Sequence, residues 1–219
     1  GRVRTPSDVA QLVDDEGGRF SVELGLDLDH RPRDVERWFL AATLFGSPVR
    51  TSTAMTTWRV LDGAGVRSVA DAGAHDRDAL VALLDAGGYA RYDFRTATRL
   101  HTLAEHVDEH HGGCIGTLAA ETDPRHLEAT LDRLPGWGPA TVHIFLRELR
   151  GVWPGARPSV DERAVDAARR IRLPLGRAGP GRWDRLAAHA QSAGRDPRDL
   201  EAALVRRALR TRPAQRSSR

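Results

Sequence analysis

The stretch LPGWGPATVHIFLREL, residues 134–149, ends one predicted helix and begins the next. Gly136 and Gly138 flank Trp137 at the bend, so the backbone on both sides of the tryptophan carries no side chain. Pro139 follows at the first position of the second helix, where its missing N–H costs no hydrogen bond. Peptide N–H groups at a helix start have no partner within the helix. We therefore expect the backbone of this bend to contact a ligand.

Composition limits the kind of protein that carries this bend. A length of 219 residues suits one domain or two small ones. The single cysteine, Cys114, excludes an intramolecular disulfide and any four-cysteine metal or iron–sulfur site. No apolar run approaches membrane-spanning length, and the first residues lack a signal-like apolar segment. We expect a soluble, cytoplasmic protein that does not contact a membrane.

The charge is distributed unevenly along the chain. Residues 1–133 contain 15 basic and 22 acidic side chains, a net charge of −7, whereas residues 134–219 contain 18 basic and 8 acidic side chains, a net charge of +10. All 33 basic residues are arginine, and the chain has no lysine. Since the basic half begins at the bend, we expect this half to face a polyanion.

Hydrophobic periodicity predicts an all-α fold. Apolar residues recur at spacings of three and four in seven segments: 35–45, 78–87, 95–107, 126–134, 160–171, 182–194 and 197–210. Gly and Pro clusters separate these segments at 46–48, 87–88, 112–113 and 174–181. Residues 20–28, FSVELGLDL, alternate like a strand and predict an extended segment. Residues 211–219 are basic, and we expect them to be disordered.

Two helices joined by a glycine-bracketed hairpin can bind phosphate. The N–H groups at a helix start point at an anion, and the helix dipole adds to their attraction. Such contacts position a protein on a duplex without reading its base sequence. The residues that we expect to contact DNA here are Pro135, Gly136, Trp137, Gly138, Ala140 and Thr141. The Trp137 side chain either meets DNA or packs against the preceding helix, and we favour packing.

The loop after the second helix makes the pattern more specific. GVWPGARPSVDERAV (151–165) is rich in Gly and Pro and ends in Asp161 at a predicted helix start. Together with the hairpin, it resembles the helix-hairpin-helix DNA glycosylases, the endonuclease III superfamily. The stretch at residues 87–113, GGYARYDFRTATRLHTLAEHVDEHHGG, is similar to that family's Gly-Tyr turn and following helix. It is most similar to the adenine-glycosylase branch of the family. WFLAATLFGSPVRTSTAMTTW (38–58) resembles its early helix pair, so the resemblance covers residues 35–175.

The resemblance implies a fold and an activity. The implied fold has two helical lobes with a DNA cleft between them: residues 36–150, which end in the helix-hairpin-helix motif, and residues 1–35 plus 151–219. The implied activity is base-excision repair, in which the enzyme hydrolyses the N-glycosidic bond of a damaged or mispaired base. An alkylated purine is our slight preference for that base. The implied partner is double-stranded DNA that contains a lesion, bound by a nucleoid-associated monomer.

The resemblance also implies roles for individual residues. Asp161 would be the catalytic residue that stabilises the sugar cation as the base leaves. The loop with Ser47, Pro48 and Arg50 would support the opened base stack. The carbonyl groups of Asp132, Leu134 and Trp137 would hold a sodium or potassium ion at the hairpin. Three side chains are candidates for the base pocket, although the two tyrosines could equally cover the core and the histidine could pack or face a phosphate: Tyr89, Tyr92 and His143.

Two departures from the family narrow the expected chemistry. Bifunctional members carry a lysine where this chain has Ala140, and a chain without lysine has no ε-amine to form a Schiff base with the abasic sugar. Many relatives also end in a four-cysteine iron–sulfur loop, which a single cysteine cannot build. We therefore expect a monofunctional glycosylase that needs no cofactor and holds no cluster. The loop at 47–49, Ser-Pro-Val, stands where relatives often place a glutamine.

Two other functions fit parts of the sequence. A noncatalytic helix-hairpin-helix DNA-binding protein would share the hairpin, and in it Asp161 would only cap a helix. Against this, Ser159 and Glu162 match an S-x-x-E capping box, which predicts Ser159 as the cap and leaves Asp161 for catalysis. HVDEH (106–110) matches the H-x-x-E-H pattern of one metallopeptidase class, with His106 and His110 on one helical face. We favour a solvated helix end for this last segment.

Overall fold

The computed structural model describes residues 1–211, which form helices joined by turns and loops and contain no strand. The all-α prediction is therefore confirmed for these residues, and the predicted basic tail lies almost entirely outside them. No helix in this range has both the length and the apolar character needed to cross a membrane. A 3-10 helix spans Ile115–Ala120, and the α-helices are α1 Pro6–Glu16, α2 Phe20–Glu23, α3 Pro32–Phe45, α4 Thr51–Gly63, α5 Val69–Ala74, α6 Arg77–Gly87, α7 Asp93–His111, α8 Pro124–Asp132, α9 Pro139–Arg147, α10 Glu162–Arg170, α11 Pro180–Ser192 and α12 Pro197–Arg210.

Capping residues determine where several helices begin. The Thr5 hydroxyl accepts the N–H of Asp8 while the Asp8 carboxylate accepts the N–H of Thr5, and Pro6 occupies the first turn. Asp123 and Asp196 accept an N–H from the first turn of α8 and α12, each of which also begins with a proline. Each cap satisfies an N–H group that the helix cannot.

The residues Leu24–Pro158 form one compact unit around α3. Trp38, Phe39 and Leu40 on this helix have almost no exposed surface. The helix packs against α4 and α9, and the indole N–H of Trp38 donates to the carbonyl of Phe145 on α9 at 3.1 Å. This burial positions the start of α9, which follows the hairpin, against α3.

The segments Gly1–Glu23 and Ser159–Arg219 form the second compact unit. Its centre is α12, which packs against α1, α10 and α11. Arginine–carboxylate pairs also join the N-terminal segment to the loop after α11 and to α12, including Arg195 with Asp14 and Arg206 with Glu23. Partly exposed pairs contribute little, so the buried apolar face of α12 provides most of the stability. The chain passes from one unit to the other after Glu23 and after Pro158. The division implied by the resemblance placed these boundaries after residues 35 and 150.

The extended segment predicted for residues 20–28 is wrong. Phe20–Glu23 is a single helical turn, α2, and the residues after it form turns. Leu24, Leu26 and Leu28 are buried although no strand is present, whereas Val22 is exposed, so the alternation of buried residues begins only after α2. A helical turn followed by turns therefore produced the alternation that predicted a strand. Helices α1 and α5 were not predicted.

Candidate functional site

The bend between α8 and α9 contains two glycines, and only Gly136 has a backbone conformation that favours glycine. Gly136 has a φ of 78°, in the left-handed region that disfavours residues with a Cβ atom. The N–H of Trp137 donates to the carbonyl of Leu134 at 3.0 Å and closes the turn. A carbonyl oxygen has two lone pairs, so this hydrogen bond occupies one of the two on the Leu134 carbonyl, which the resemblance assigns to a monovalent cation.

The side chain of Trp137 packs in the core. It is 7 % exposed, and its indole N–H donates to the Thr43 hydroxyl at 3.1 Å. Its ring lies 4.9 Å from the Phe39 ring and meets the Phe145 ring edge-on at 5.5 Å. This confirms packing, although against α3 and α9 rather than the helix before the hairpin. Since the indole holds the turn from inside, only the backbone of Trp137 remains to contact a ligand.

The start of α9 presents its backbone without a side-chain cap. Gly138 is the N-cap, and because glycine has no side chain, the N-cap residue accepts no N–H of the first turn through a side chain. A Cβ atom added at Gly138 would meet nothing within 4 Å. Pro139 and Ala140 are exposed, whereas the Thr141 side chain is buried. The N–H groups of a first helical turn have no intrahelical acceptor, so an anion can approach them here without meeting a side chain of residue 138.

Arg99 on α7 lies at the same turn. Its Nη2 atom donates to the carbonyl of Gly136 at 2.5 Å. Pro135 beside Gly136 is partly exposed. The contact places a guanidinium group next to the backbone that we expect to bind phosphate, and sequence analysis did not identify it. No sequence signal could have done so, because Arg99 and Gly136 are distant in the chain and Arg99 lies in an ordinary helical pattern.

The loop at residues 47–50 lies beside the start of α9. Gly46 ends α3, and a Cβ atom at this position would overlap the Thr141 hydroxyl. The backbones of α3 and α9 therefore approach closely at this point. Pro48 and Arg50 are exposed, while Ser47 is buried. Two stretches that sequence analysis assigned separately to DNA contact, 47–50 and 135–141, are thus neighbours in one unit.

Tyr89 supports this loop from the core. It has no exposed surface, and its hydroxyl donates to the carbonyl of Leu44 at 2.9 Å. Burial raises the pKa of Tyr89 to about 12, although a hydrogen bond with the Ser47 side chain opposes this shift. Tyr89 therefore belongs to the core and does not line an open base pocket. The other two pocket candidates, Tyr92 at the start of α7 and His143 on α9, are partly exposed.

Asp161 is itself the N-cap of α10, so the prediction that Ser159 caps this helix is wrong. The Asp161 carboxylate accepts the N–H of Arg163 at 2.9 Å. Its two oxygens also accept the guanidinium of Arg163 at 3.2 and 3.1 Å. The S-x-x-E box fails because α10 starts at Glu162, so this residue occupies the first helical position instead of the third.

A buried carboxylate on α12 holds the backbone at Asp161. Glu201 has no exposed surface, and its Oε2 atom accepts the N–H of Asp161 at 3.0 Å. Asp161 is only 4 % exposed. The arrangement fixes a negative charge at the start of α10, where the helix dipole favours it. Sequence analysis missed Glu201 because its position in the amphipathic α12 gives no sign of its partner.

The histidines of the HVDEH segment lie at the end of α7. The rings of His106 and His110 are 4.4 Å apart. Partial burial, and then the neighbouring His110, lower the pKa of His106. Within residues 1–211, no three His, Cys, Asp or Glu side chains are arranged to hold a metal ion.

No protein-family model matches this chain, and no curated protein matches it either.

Proposed function

We propose that this protein is a monofunctional DNA glycosylase of base-excision repair. The observation that carries the proposal is the uncapped start of α9, which lies directly beside the loop at residues 47–50. In the proposal, the backbone at this helix start binds phosphates of a lesion-containing duplex. Pro48 and Arg50 contact the opened stack, and the damaged base is flipped out of the duplex.

The electrostatics of the hairpin support the phosphate contact. The helix dipole of α9, the N–H groups of its first turn and the guanidinium of Arg99 all attract an anion. The basic half of the sequence, residues 134–219 with a net charge of +10, begins at this hairpin. A sodium or potassium ion on the carbonyl groups of Asp132, Leu134 and Trp137 would add a further positive charge that bridges to a phosphate.

The proposed chemistry depends on Asp161. When a glycosidic bond breaks with cationic character, a fixed negative charge near the sugar lowers the energy of the transition state. The carboxylate would also orient or deprotonate the attacking water, as a carboxylate does in glycoside hydrolysis. An alkylated purine needs the least assistance because a cationic base is already a good leaving group, and it remains our preferred substrate class.

A noncatalytic DNA-binding protein is the second candidate, and one observation favours it. The Asp161 carboxylate caps α10 and pairs with Arg163, which are ordinary structural roles. For catalysis, Arg163 must share or release this carboxylate when substrate binds. A noncatalytic protein would bind the duplex through the same hairpin and leave every base in place.

Incubation with a panel of lesion-bearing duplexes separates the two candidates. The duplexes should contain an alkylated purine, uracil or thymine in a mismatch, or adenine opposite an oxidised guanine. Alkali after the incubation cleaves the strand at every abasic site. We expect strand cleavage for at least one lesion only after alkali or heat. Cleavage without alkali, or no cleavage on any duplex that the protein binds, would contradict the proposal.

The absent lysine gives the same experiment a second readout. Borohydride traps the Schiff base of a bifunctional enzyme as a covalent adduct with DNA, and Ala140 stands at the position of the required lysine. We expect borohydride to trap no covalent protein–DNA adduct, except one that maps to the N-terminal amine of Gly1, because the chain has no ε-amine. An adduct that maps to a side chain of the protein would contradict a monofunctional mechanism.

A further inference from the structure

A pocket of about 300 Å³ lies in the unit formed by both terminal segments, and none of the residues assigned so far lines it. It is bounded by the end of α10, the loop after it and the start of α11. Its floor is apolar and includes the buried side chains of Val165, Leu173 and Leu175. Its volume is at the lower end of the range for small-molecule sites.

Three arginine residues line this pocket, from three elements of the chain. Arg169 belongs to α10, Arg172 to the following loop and Arg182 to the first turn of α11. Arg182 reaches the carbonyl of Gly176 at 3.4 Å, close to the limit for a hydrogen bond. Its Nε atom is buried and has no hydrogen-bond partner among residues 1–211. The described protein provides no acceptor for this N–H, and a ligand oxygen in the pocket would supply one once the Arg182 side chain turned towards it.

The backbone at Arg172 supports a role for its side chain. Arg172 has a φ of 59° and is the non-glycine residue with positive φ in the described chain. It follows the end of α10, where the N–H of Leu173 returns to the carbonyl of Ala168 at 2.9 Å. Glycine is the usual residue at this position of a helix end. An arginine here has an energetic cost that a glycine would avoid, and this arginine lines the pocket.

Two structural roles for these arginines do not explain the arrangement. Cations near the end of α10 balance the helix dipole, but Arg182 is at the start of α11, where the dipole disfavours a cation. Arg169 also pairs with Asp166 at 3.4 Å, yet both side chains are mostly exposed, so the pair is weak. Neither role provides an acceptor for the Nε atom of Arg182.

We infer that this pocket binds the phosphate group of a nucleotide. Guanidinium groups from different directions suit the oxygens of a phosphate, and the apolar floor offers a surface to the sugar or base. The phosphate comes either from a free mononucleotide or from the backbone of DNA. The inference does not depend on base excision, because a binding measurement tests it without any lesion.

Arg172→Gly is the informative variant. It removes one guanidinium group, and the left-handed backbone suits glycine, so the free energy of unfolding should stay the same or increase. Arg170→Ala is the matched control, since it removes the same charge from the residue next to Arg169, and Arg170 does not line the pocket. The whole chain is titrated with AMP and, separately, with inorganic phosphate, by calorimetry and by NMR of arginine Nε–H signals.

Saturable binding of AMP is expected, with a change in the Arg182 Nε–H signal. Arg172→Gly should weaken the binding about tenfold, and Arg170→Ala should change it less than twofold. Competition by an undamaged duplex would assign the phosphate to DNA, and its absence would assign it to a free mononucleotide. The inference is overturned if neither AMP nor phosphate binds, if Arg172→Gly binds like the wild type, or if Arg170→Ala weakens binding equally.

Discussion

Gly46 and Thr141 are packed so closely that a Cβ atom on residue 46 would overlap the Thr141 hydroxyl. The end of α3 and the start of α9, which are far apart in sequence, are in contact at this point. The contact brings the loop at 47–50 to the helix start that follows the hairpin. The proposed DNA contacts therefore depend on Gly46, which the sequence indicated only as part of a Gly/Pro cluster between two helical segments.

Gly46→Ala should destabilise the protein by about 1–3 kcal/mol, since the new methyl group overpacks the contact. Gly46 has helical backbone angles that alanine also adopts, so the effect comes from the overlap alone. Adding Thr141→Ala removes the overlapping atoms and should recover much of the loss. Denaturant unfolding of both single variants and the double variant measures this coupling. Additive effects would show that the two residues do not restrict each other.

Gly138→Leu should weaken binding to all duplexes by about tenfold or more, with a loss of stability of about 1 kcal/mol because leucine is a poorer N-cap than glycine. A side chain fits at Gly138 without meeting another atom of the protein, yet it would stand before the N–H groups of α9. Gly63→Leu is a matched control, because residue 63 also lies in open space. Anisotropy titrations at several salt concentrations provide the measurement. Binding of the wild type should fall steeply with salt as counterions are released.

Equal affinity of the Gly138→Leu protein and the wild type would rule out the backbone of this helix start as the phosphate site. An affinity for duplex DNA that does not change with salt concentration would argue against phosphate contacts altogether. A change in affinity for one base sequence only would point to base recognition instead.

Tyr89 should make the protein less stable at high pH. Its pKa is raised to about 12 in the folded protein, from an ordinary value near 10, because burial disfavours the phenolate. As the pH rises, the tyrosine ionises in the unfolded chain before it ionises in the folded protein. The free energy of unfolding should therefore decrease by roughly 2–3 kcal/mol between about pH 10 and about pH 12. The chain has two tyrosines, so the absorbance of tyrosinate in Tyr92→Phe reports on Tyr89 alone.

Tyr89→Phe is the control for this pH dependence. It should lose about 1 kcal/mol at neutral pH, because the hydroxyl bonds to Leu44 and Ser47 disappear. Its stability should then fall less between pH 10 and 12 than that of the wild type. If Tyr92→Phe gives a phenolate near pH 10 while the protein is still folded, the buried position of Tyr89 is wrong.

The sequence predicted the elements of this fold better than their contacts. Apolar spacing of three and four identified seven helices because a buried face repeats with the helical turn. It missed α1 and α5, and the alternation at residues 20–28 suggested a strand, since a single helical turn is too short to show its period. The hairpin was predictable because glycine and proline have local conformational effects.

The site could be predicted only in part, for a physical reason. Glycines and Asp161 stood out because their roles are local, at a turn and at a helix start. Arg99 at the Gly136 carbonyl and Glu201 at the Asp161 N–H depend on contacts between distant segments. Even the choice between Ser159 and Asp161 as the cap of α10 depended on where the helix begins, which varies by one or two residues in any sequence-based assignment.

Asp161→Asn should reduce base excision by on the order of a hundredfold or more while the protein stays folded. The variant removes the negative charge that we propose stabilises the sugar cation. Asparagine is as good an N-cap as aspartate, so it can still accept the N–H of Arg163 and start α10. The lost charge pair with Arg163 should have a small effect on the free energy of unfolding. Single-turnover excision on the best lesion duplex, thermal unfolding and binding to abasic-site DNA are the three measurements.

Asp161→Ala separates capping from catalysis, because it removes both the charge and the cap. It should lose about 1 kcal/mol of stability that Asp161→Asn retains, while both variants lose excision equally. Binding to abasic-site DNA should survive in both, since the phosphate contacts are assigned to the hairpin. If Asp161→Asn excises at the wild-type rate, Asp161 is a cap alone and the proposed mechanism fails. If both variants lose excision only in proportion to the fraction unfolded, the noncatalytic role of this carboxylate is the correct one.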